Sequence, residues 1–380
     1  MTTLRRVASL AILSLALAGA PRAEAKPRAQ LLPVAQNRWA VALAGHGGFV
    51  SGLAFSPDGR YLASSSSTLQ DRSTRLWDVA RRKQVARYPS NHSPLFSPDG
   101  RYLATSATDG SGGQPRVMVA VRRVGQQKPL FVVEGGNPVF SPNGDWLAVD
   151  TRNTLGIEVV ELYAIPSGKA GATLEGRGAA FGPDGVWLAT SSLLGGDWVT
   201  QVWDTRTGLP AKGFQEFAYV QGDKAVLCPP LYIATRTNRR PGHLQSRLYS
   251  LESGKPVHRP LEGVPLGFQH ELDWLLTEET ESTPSPRVHV YDLHRGTRLE
   301  TVPGRPLALS PNGRWLATAA DYDGLYPGVQ LWNLIARKRG DLLFAGSDRA
   351  TAAAFSGDGR LVAVASAGSK EILIYELDRG

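Results

Sequence analysis

The chain has 380 residues, of which 42% are hydrophobic and 20% charged, with 41 Gly, 26 Pro and one Cys. This composition supplies a sizeable core and excludes a largely disordered chain, while so many Gly and Pro exclude a bundle of long helices. The lone Cys228 excludes a disulfide framework, a cysteine-rich zinc site and a haem-attachment motif, and the net charge of +8 is carried by dispersed basic residues that do not point to nucleic acid.

The first 25 residues read as an export signal. Arg5 and Arg6 give a positive start, 7–20 is an apolar run, and Ala23-Glu24-Ala25 has the small-x-small pattern cut by signal peptidase. The run is shorter than the roughly 20 residues that cross a bilayer, so the expectation is cleavage after Ala25 and no stable membrane insertion afterwards. Arg5-Arg6 lacks the flanks of a twin-arginine signal, which favours the general secretory route. Cleavage removes three Arg and one Glu and lowers the charge from +8 to +6. A periplasmic or secreted protein is expected, with 26–37 as a linker and 38–380 as the folded domain.

From residue 38 a phrase returns. It reads Phe55-Ser56-Pro57-Asp58-Gly59-Arg60-Tyr61-Leu62-Ala63, and recurs from Phe96, Phe140, Phe181, Leu309 and Phe355. Phe55 and Phe355 are 300 positions apart, and seven steps of about 43 residues match a four-stranded propeller blade. Pro sets the first corner of the turn, Asp or Asn tolerates the next and Gly supplies positive φ, so each phrase is a hairpin. A second β-rich run follows each, as at 74–79, 117–121, 157–162, 200–205, 247–251, 288–293, 329–334 and 372–377. There are eight such runs, so two blades carry degenerate phrases, one around 217–229 and one around 266–277. The chain stops after the third strand of the last blade, and 38–44 is a β-rich run with no blade of its own. The expected fold is an all-β propeller of eight four-stranded blades in which this N-terminal strand closes the last.

Gly45-His46, Trp77-Asp78, Trp203-Asp204 and Trp332-Asn333 resemble the WD-repeat family of β-propellers, over about 38–380. The resemblance implies a hydrogen-bonded support inside the blade, carried here by His46, Ser65, Asp71 and Trp77, and in part by Asp197 with Trp203. Other blades lack Gly-His and must be held by packing and turns. It also implies an interaction scaffold, since the fold hosts many jobs.

No catalytic constellation emerges. There is no Gly-x-Ser-x-Gly, no phosphate loop, and no second His after His270-Glu271; Gly176-Arg177-Gly178 precedes a strand rather than a helix. Asp321-Tyr322-Asp323-Gly324 lacks the Glu that would complete a calcium loop. No catalytic residue, metal or cofactor is assigned. The expected function is an exported, non-enzymatic, monomeric scaffold for an envelope protein or peptide, with no nucleic acid as partner. Connections of varied composition, at 108–115, 236–243 and 278–281, mark the candidate contact face. The alternative is an enzyme or small-ligand receptor at the central channel, where His92, Arg177, Arg305 and Arg349 are candidate anion contacts at the mouth.

Overall fold

A computed structural model describes residues 39–110, 115–194, 197–210, 220–221, 225–228, 232–240, 243–250, 255–269, 272–279, 286–320, 328–343 and 349–377. The expected signal and linker, the His270-Glu271 and 321–324 fragments and parts of the three varied connections lie outside these residues. Everything described is β-strand, turn or connection, without an α-helix. The chain is a β-propeller.

The strands form eight four-stranded antiparallel sheets among the described residues. Seven are continuous blades of four consecutive strands, spanning 52–89, 95–134, 136–175, 177–221, 225–262, 264–303 and 305–343 (blades 1 to 7). The eighth sheet is composite. Its strands Ala350–Phe355, Leu361–Ser366 and Ile372–Glu376 are joined by Trp39–Leu43 from the other end of the chain, with Val41 opposite Ile374 and Leu43 opposite Ile372. The two stretches with degenerate phrases fold into blades 5 and 6, and Cys228 ends the strand Ala225–Cys228.

Central strands are apolar on both faces because a neighbouring sheet covers each side. Leu62, Leu103, Leu147, Leu188, Leu275, Leu316 and Val362 occupy one equivalent position and are fully buried. Apolar layers fill the gaps between sheets; Val41, Leu43, Val50, Trp77 and Ile374 pack together between the composite sheet and blade 1.

The repeated turn has its own hydrogen-bond logic. Ser56, Ser97, Ser141, Ser310 and Ser356 are buried, and each hydroxyl donates to the side-chain oxygen two residues on, Asp58, Asp99, Asn143, Asn312 or Asp358, at 2.5–2.7 Å. Each also accepts the amide five residues on at 2.8–2.9 Å. The glycines of these turns hold φ between +65° and +78°, where a side chain is strained. Successive turns touch: a Cβ on Gly59 would lie 3.5 Å from Ser356, and one on Gly100 3.4 Å from Pro57.

Two outcomes are expected. In blade 4 Gly182 stands where these five turns have Ser, and a Cβ there meets nothing nearer than 3.4 Å. Gly182→Ser restores the missing hydroxyl and raises the unfolding free energy by about 1 kcal/mol, read from the urea midpoint, while Ser141→Ala lowers it by a similar amount. Deleting 39–43 exposes an unpaired sheet edge and removes the buried Val41 and Leu43, at a cost of roughly 3–6 kcal/mol. A deletion that melts with the full chain would show that the ring does not depend on this strand.

Candidate functional site

Blade 1 holds a buried polar network. His46 Nδ1 donates to Asp71 Oδ2 at 2.7 Å, Ser64 donates to His46 Nε2 at 2.7 Å, and Trp77 Nε1 donates to Ser64 Oγ at 2.8 Å. Asp71 also accepts the Gly47 amide at 2.8 Å and the Ser73 hydroxyl, with Arg87 at 3.3 Å and Arg75 at 3.5 Å. The hydroxyl in this chain is Ser64 and not Ser65. Adjacent residues on a strand face opposite sides of the sheet, and Trp77 lies opposite Leu62, so the residue two further along, Ser64, shares its face. Ser65 is buried on the other face, and its hydroxyl makes no bond within the blade.

The channel-mouth candidates divide. Arg177 and Arg305 do begin innermost strands, Arg177–Phe181 and Arg305–Leu309, but both are engaged across blade boundaries. Arg177 Nη1 lies 3.5 Å from Glu158 of blade 3, and Arg305 Nη2 donates to the Ala350 carbonyl of the composite sheet at 3.1 Å. His92 is exposed, with Nε2 3.5 Å from Thr108 Oγ1, and Arg349 is exposed on the connection into the composite sheet. Inter-blade contacts thus engage the two guanidinium groups that begin innermost strands.

Arg177 instead lines an open cleft of about 350 Å³ across blades 2, 3 and 4. The cleft sets Arg116, Arg152 and Arg177 against Glu134, Asp150 and Glu158. Arg116 pairs with Glu134 at 3.3 Å and Arg152 with Glu158 at 3.4 Å. Asp150 accepts the Gly178 amide at 3.0 Å and the Asn137 side chain at 3.0 Å, which ties blade 4 to blade 3. The turn 153–157 leaves the cleft wall between Arg152 and Glu158 and exposes Leu155 (81%) and Ile157 (52%). Glu134-Gly135, Glu158 and Arg116 carried no sequence motif; their common signal is position beside the connections between blades.

Residues 39–78 match the WD40 family, WD domain, G-beta repeat, and this segment holds the network around His46. The chain is a β-propeller in which one segment is similar to a WD repeat. No curated protein matches it.

The WD tryptophans show how the support varies from blade to blade. Trp203 Nε1 donates to Thr190 Oγ1 at 2.8 Å and Trp332 Nε1 to Thr318 Oγ1 at 3.0 Å. In blade 2 the equivalent position is Arg122, which donates to Thr105 Oγ1 at 2.8 Å and stacks over Tyr88 at 5.0 Å. Blade 3 and the composite sheet have Tyr163 and Tyr375 there, opposite Leu147 and Val362, and the hydroxyl position is Val149 or Val364. Every side-chain N–H at this position of the third strand thus meets a hydroxyl on the second, but the hydroxyl also occurs without it, as at Thr277 of blade 6, which stands beside Tyr291 and donates to the Glu262 carbonyl. The sequence signal is the residue directly after the repeated phrase, Ser64, Thr105, Thr190 or Thr318. The described part of blade 4 includes no side chain for Asp197.

Burial holds His46 below the usual imidazole range despite Asp71, with Arg75 and Arg87 also opposing its charge. Burial pushes the Asp71 carboxyl up, but hydrogen bonds from Ser73, Gly47 and His46 outweigh it and bring the pKa to about 2. Both groups bind fewer protons folded than unfolded, so both lose stability on acidification: His46 as pH falls below about 6.5, and Asp71 between about 4 and 2. Urea unfolding as a function of pH is expected to show stability dropping from pH 7 to 5, with a shallower drop in His46→Gln. His289, also buried and held low, leaves a residual slope. His46→Ala should cost about 2–3 kcal/mol at pH 7, since Asp71 and Ser64 each lose a buried partner.

Proposed function

We propose that the chain is an exported scaffold of the cell envelope, an eight-bladed ring when the composite sheet is counted, acting by binding rather than by catalysis. The observation that carries this reading is the cleft across blades 2 to 4. Three cations and three carboxylates in one recess, beside an exposed apolar tip at Leu155 and Ile157, have the anatomy of a protein contact, apolar anchors with a charged rim. Blades paired into a ring hold such groups in place, so binding costs little ordering. The signal-like 1–25 segment supports export. The channel-mouth anion receptor is the weaker reading, because Arg177 and Arg305 already have partners.

The test is affinity capture from an envelope extract by the full chain and by a Leu155→Asp, Ile157→Asp variant. Both positions are exposed, so the melting temperature should not change. The variant is expected to retain less than a tenth of each specific partner, the loss typical of a central apolar anchor. Equal recovery by both chains would remove the cleft from the function.

A further inference from the structure

The opposite face of the ring carries a second surface. In a four-stranded meander the turn between strands one and two and the turn between strands three and four lie at the same end, and the contacts of Gly59 with Ser356 and Gly100 with Pro57 run these turns side by side around the ring. On the arc formed by blade 7, the composite sheet and blades 1 and 2, this face presents Arg60, Arg82, Lys83, Arg123, Arg337 and Lys338, all exposed. Of the acids on the same arc, Asp78 is paired with Arg81, Asp99 with Arg101 and Asp358 with Arg360, while Asp58 and Glu376 are exposed among the six cations. Blades 3, 4 and 6 present Asp145, Asp184, Asp204, Asp273 and Asp292 at the equivalent turns, against Lys169, Arg206 and Arg295. The face is therefore cationic on one arc and mildly acidic on blades 3, 4 and 6.

In the turns between strands three and four, backbone strain falls on the same arc; on the acidic arc Asp273 of blade 6 holds φ +51° in its first turn. The turn between strands three and four needs a residue in the left-handed region, and blades 2, 3, 4 and 6 use Gly125, Gly168, Gly208 and Gly296 there, with φ between +61° and +82°. Blades 1 and 7 use arginine. Arg82 has φ +54° and Arg337 φ +50°, conformations that cost an L-residue energy that glycine would not incur. Folding alone favours glycine at both places, and a retained strain of this kind marks a site where the side chain itself is needed. The blade 7 turn also exposes Ile335 (55%), two residues from Arg337.

We propose that this arc docks the propeller on an anionic lipid surface, with Arg82 and Arg337 as contacts to lipid phosphates and Ile335 entering the headgroup layer. Short turns on one face suit a broad, planar partner better than a duplex that side chains must follow into a groove. An apolar tip among cations is the pattern of interfacial binding. This goes beyond the scaffold reading, which uses the other face, and it involves no span of the bilayer.

The test is co-sedimentation of the full chain with vesicles of equimolar phosphatidylglycerol and phosphatidylcholine, with pure phosphatidylcholine vesicles reporting any contribution of the apolar 7–20 segment. The chain is expected to bind the anionic vesicles far more tightly and to be released by salt. Arg82→Gly, Arg337→Gly should bind about thirtyfold more weakly, the loss of two cations near an anionic surface, while melting at the same or a higher temperature. Arg82→Lys, Arg337→Lys should keep most of the binding, and Lys169→Ala, on the other arc, all of it. Equal binding to both lipids, undiminished binding by the glycine variant, or preference for duplex DNA over the vesicles would each overturn the proposal. The capture experiment with Leu155 and Ile157 tests the other face, so either idea can fail alone.

Discussion

A ring of sheets is stable only if its last sheet finds a fourth strand, and this chain meets that requirement with residues from its other end. Trp39–Leu43 pairs along Ile372–Glu376, and its Val41 and Leu43 enter the same apolar layer as Trp77 of blade 1. The seam is thereby both hydrogen-bonded and packed. Thr351 adds a bond to the Val50 carbonyl at 2.6 Å, across the boundary between the composite sheet and blade 1. Every other blade boundary inherits its geometry from this closure, because a sheet with an open edge would leave its neighbours free to splay.

Within that ring the repeated turn acts as a local clamp. A buried serine hydroxyl that both donates and accepts fixes the hairpin from inside, which leaves the outward residue after the glycine free to vary between Arg and Asp. The Ser-Asp or Ser-Asn pair and the following glycine are thus structural, and the residue after the glycine is where charge is placed. The same division holds in the turns between strands three and four, except where arginine takes the glycine position.

Much of this was legible in the sequence, for physical reasons that differ by feature. Repeat period, hairpin chemistry and the stranded N-terminal run all depend on local pattern, and they led directly to blades, turns and the closing strand. The support network around His46 was legible in its His, Asp and Trp, but the hydroxyl fell one residue off. Ser64, Ser65 and Ser66 are chemically alike, and only the register of Leu62 against Trp77 decides which shares the tryptophan's face. Arg177 and Arg305 were legible as residues that begin inner strands. Their partners, Glu158 and the Ala350 carbonyl, lie on neighbouring sheets, and no period in the sequence reports such a contact.

The two faces of the ring differ because the meander treats its connections unequally. The serine-clamped turns between strands one and two are short and share one backbone, so they differ mainly in the charge they carry. Connections on the other face join strands of different sheets or the long central pair, where added residues disturb neither the hydroxyl clamps nor the closing seam. Cleft formation there follows from blade-to-blade ties, Gly178 to Asp150 and Arg177 to Glu158, that replace a repeated turn with individual side chains. A surface assembled that way is specific to its three blades, whereas one made of repeated turns spreads over a whole arc. The geometry therefore suits the first to a partner of defined shape and the second to one that is extended and uniform.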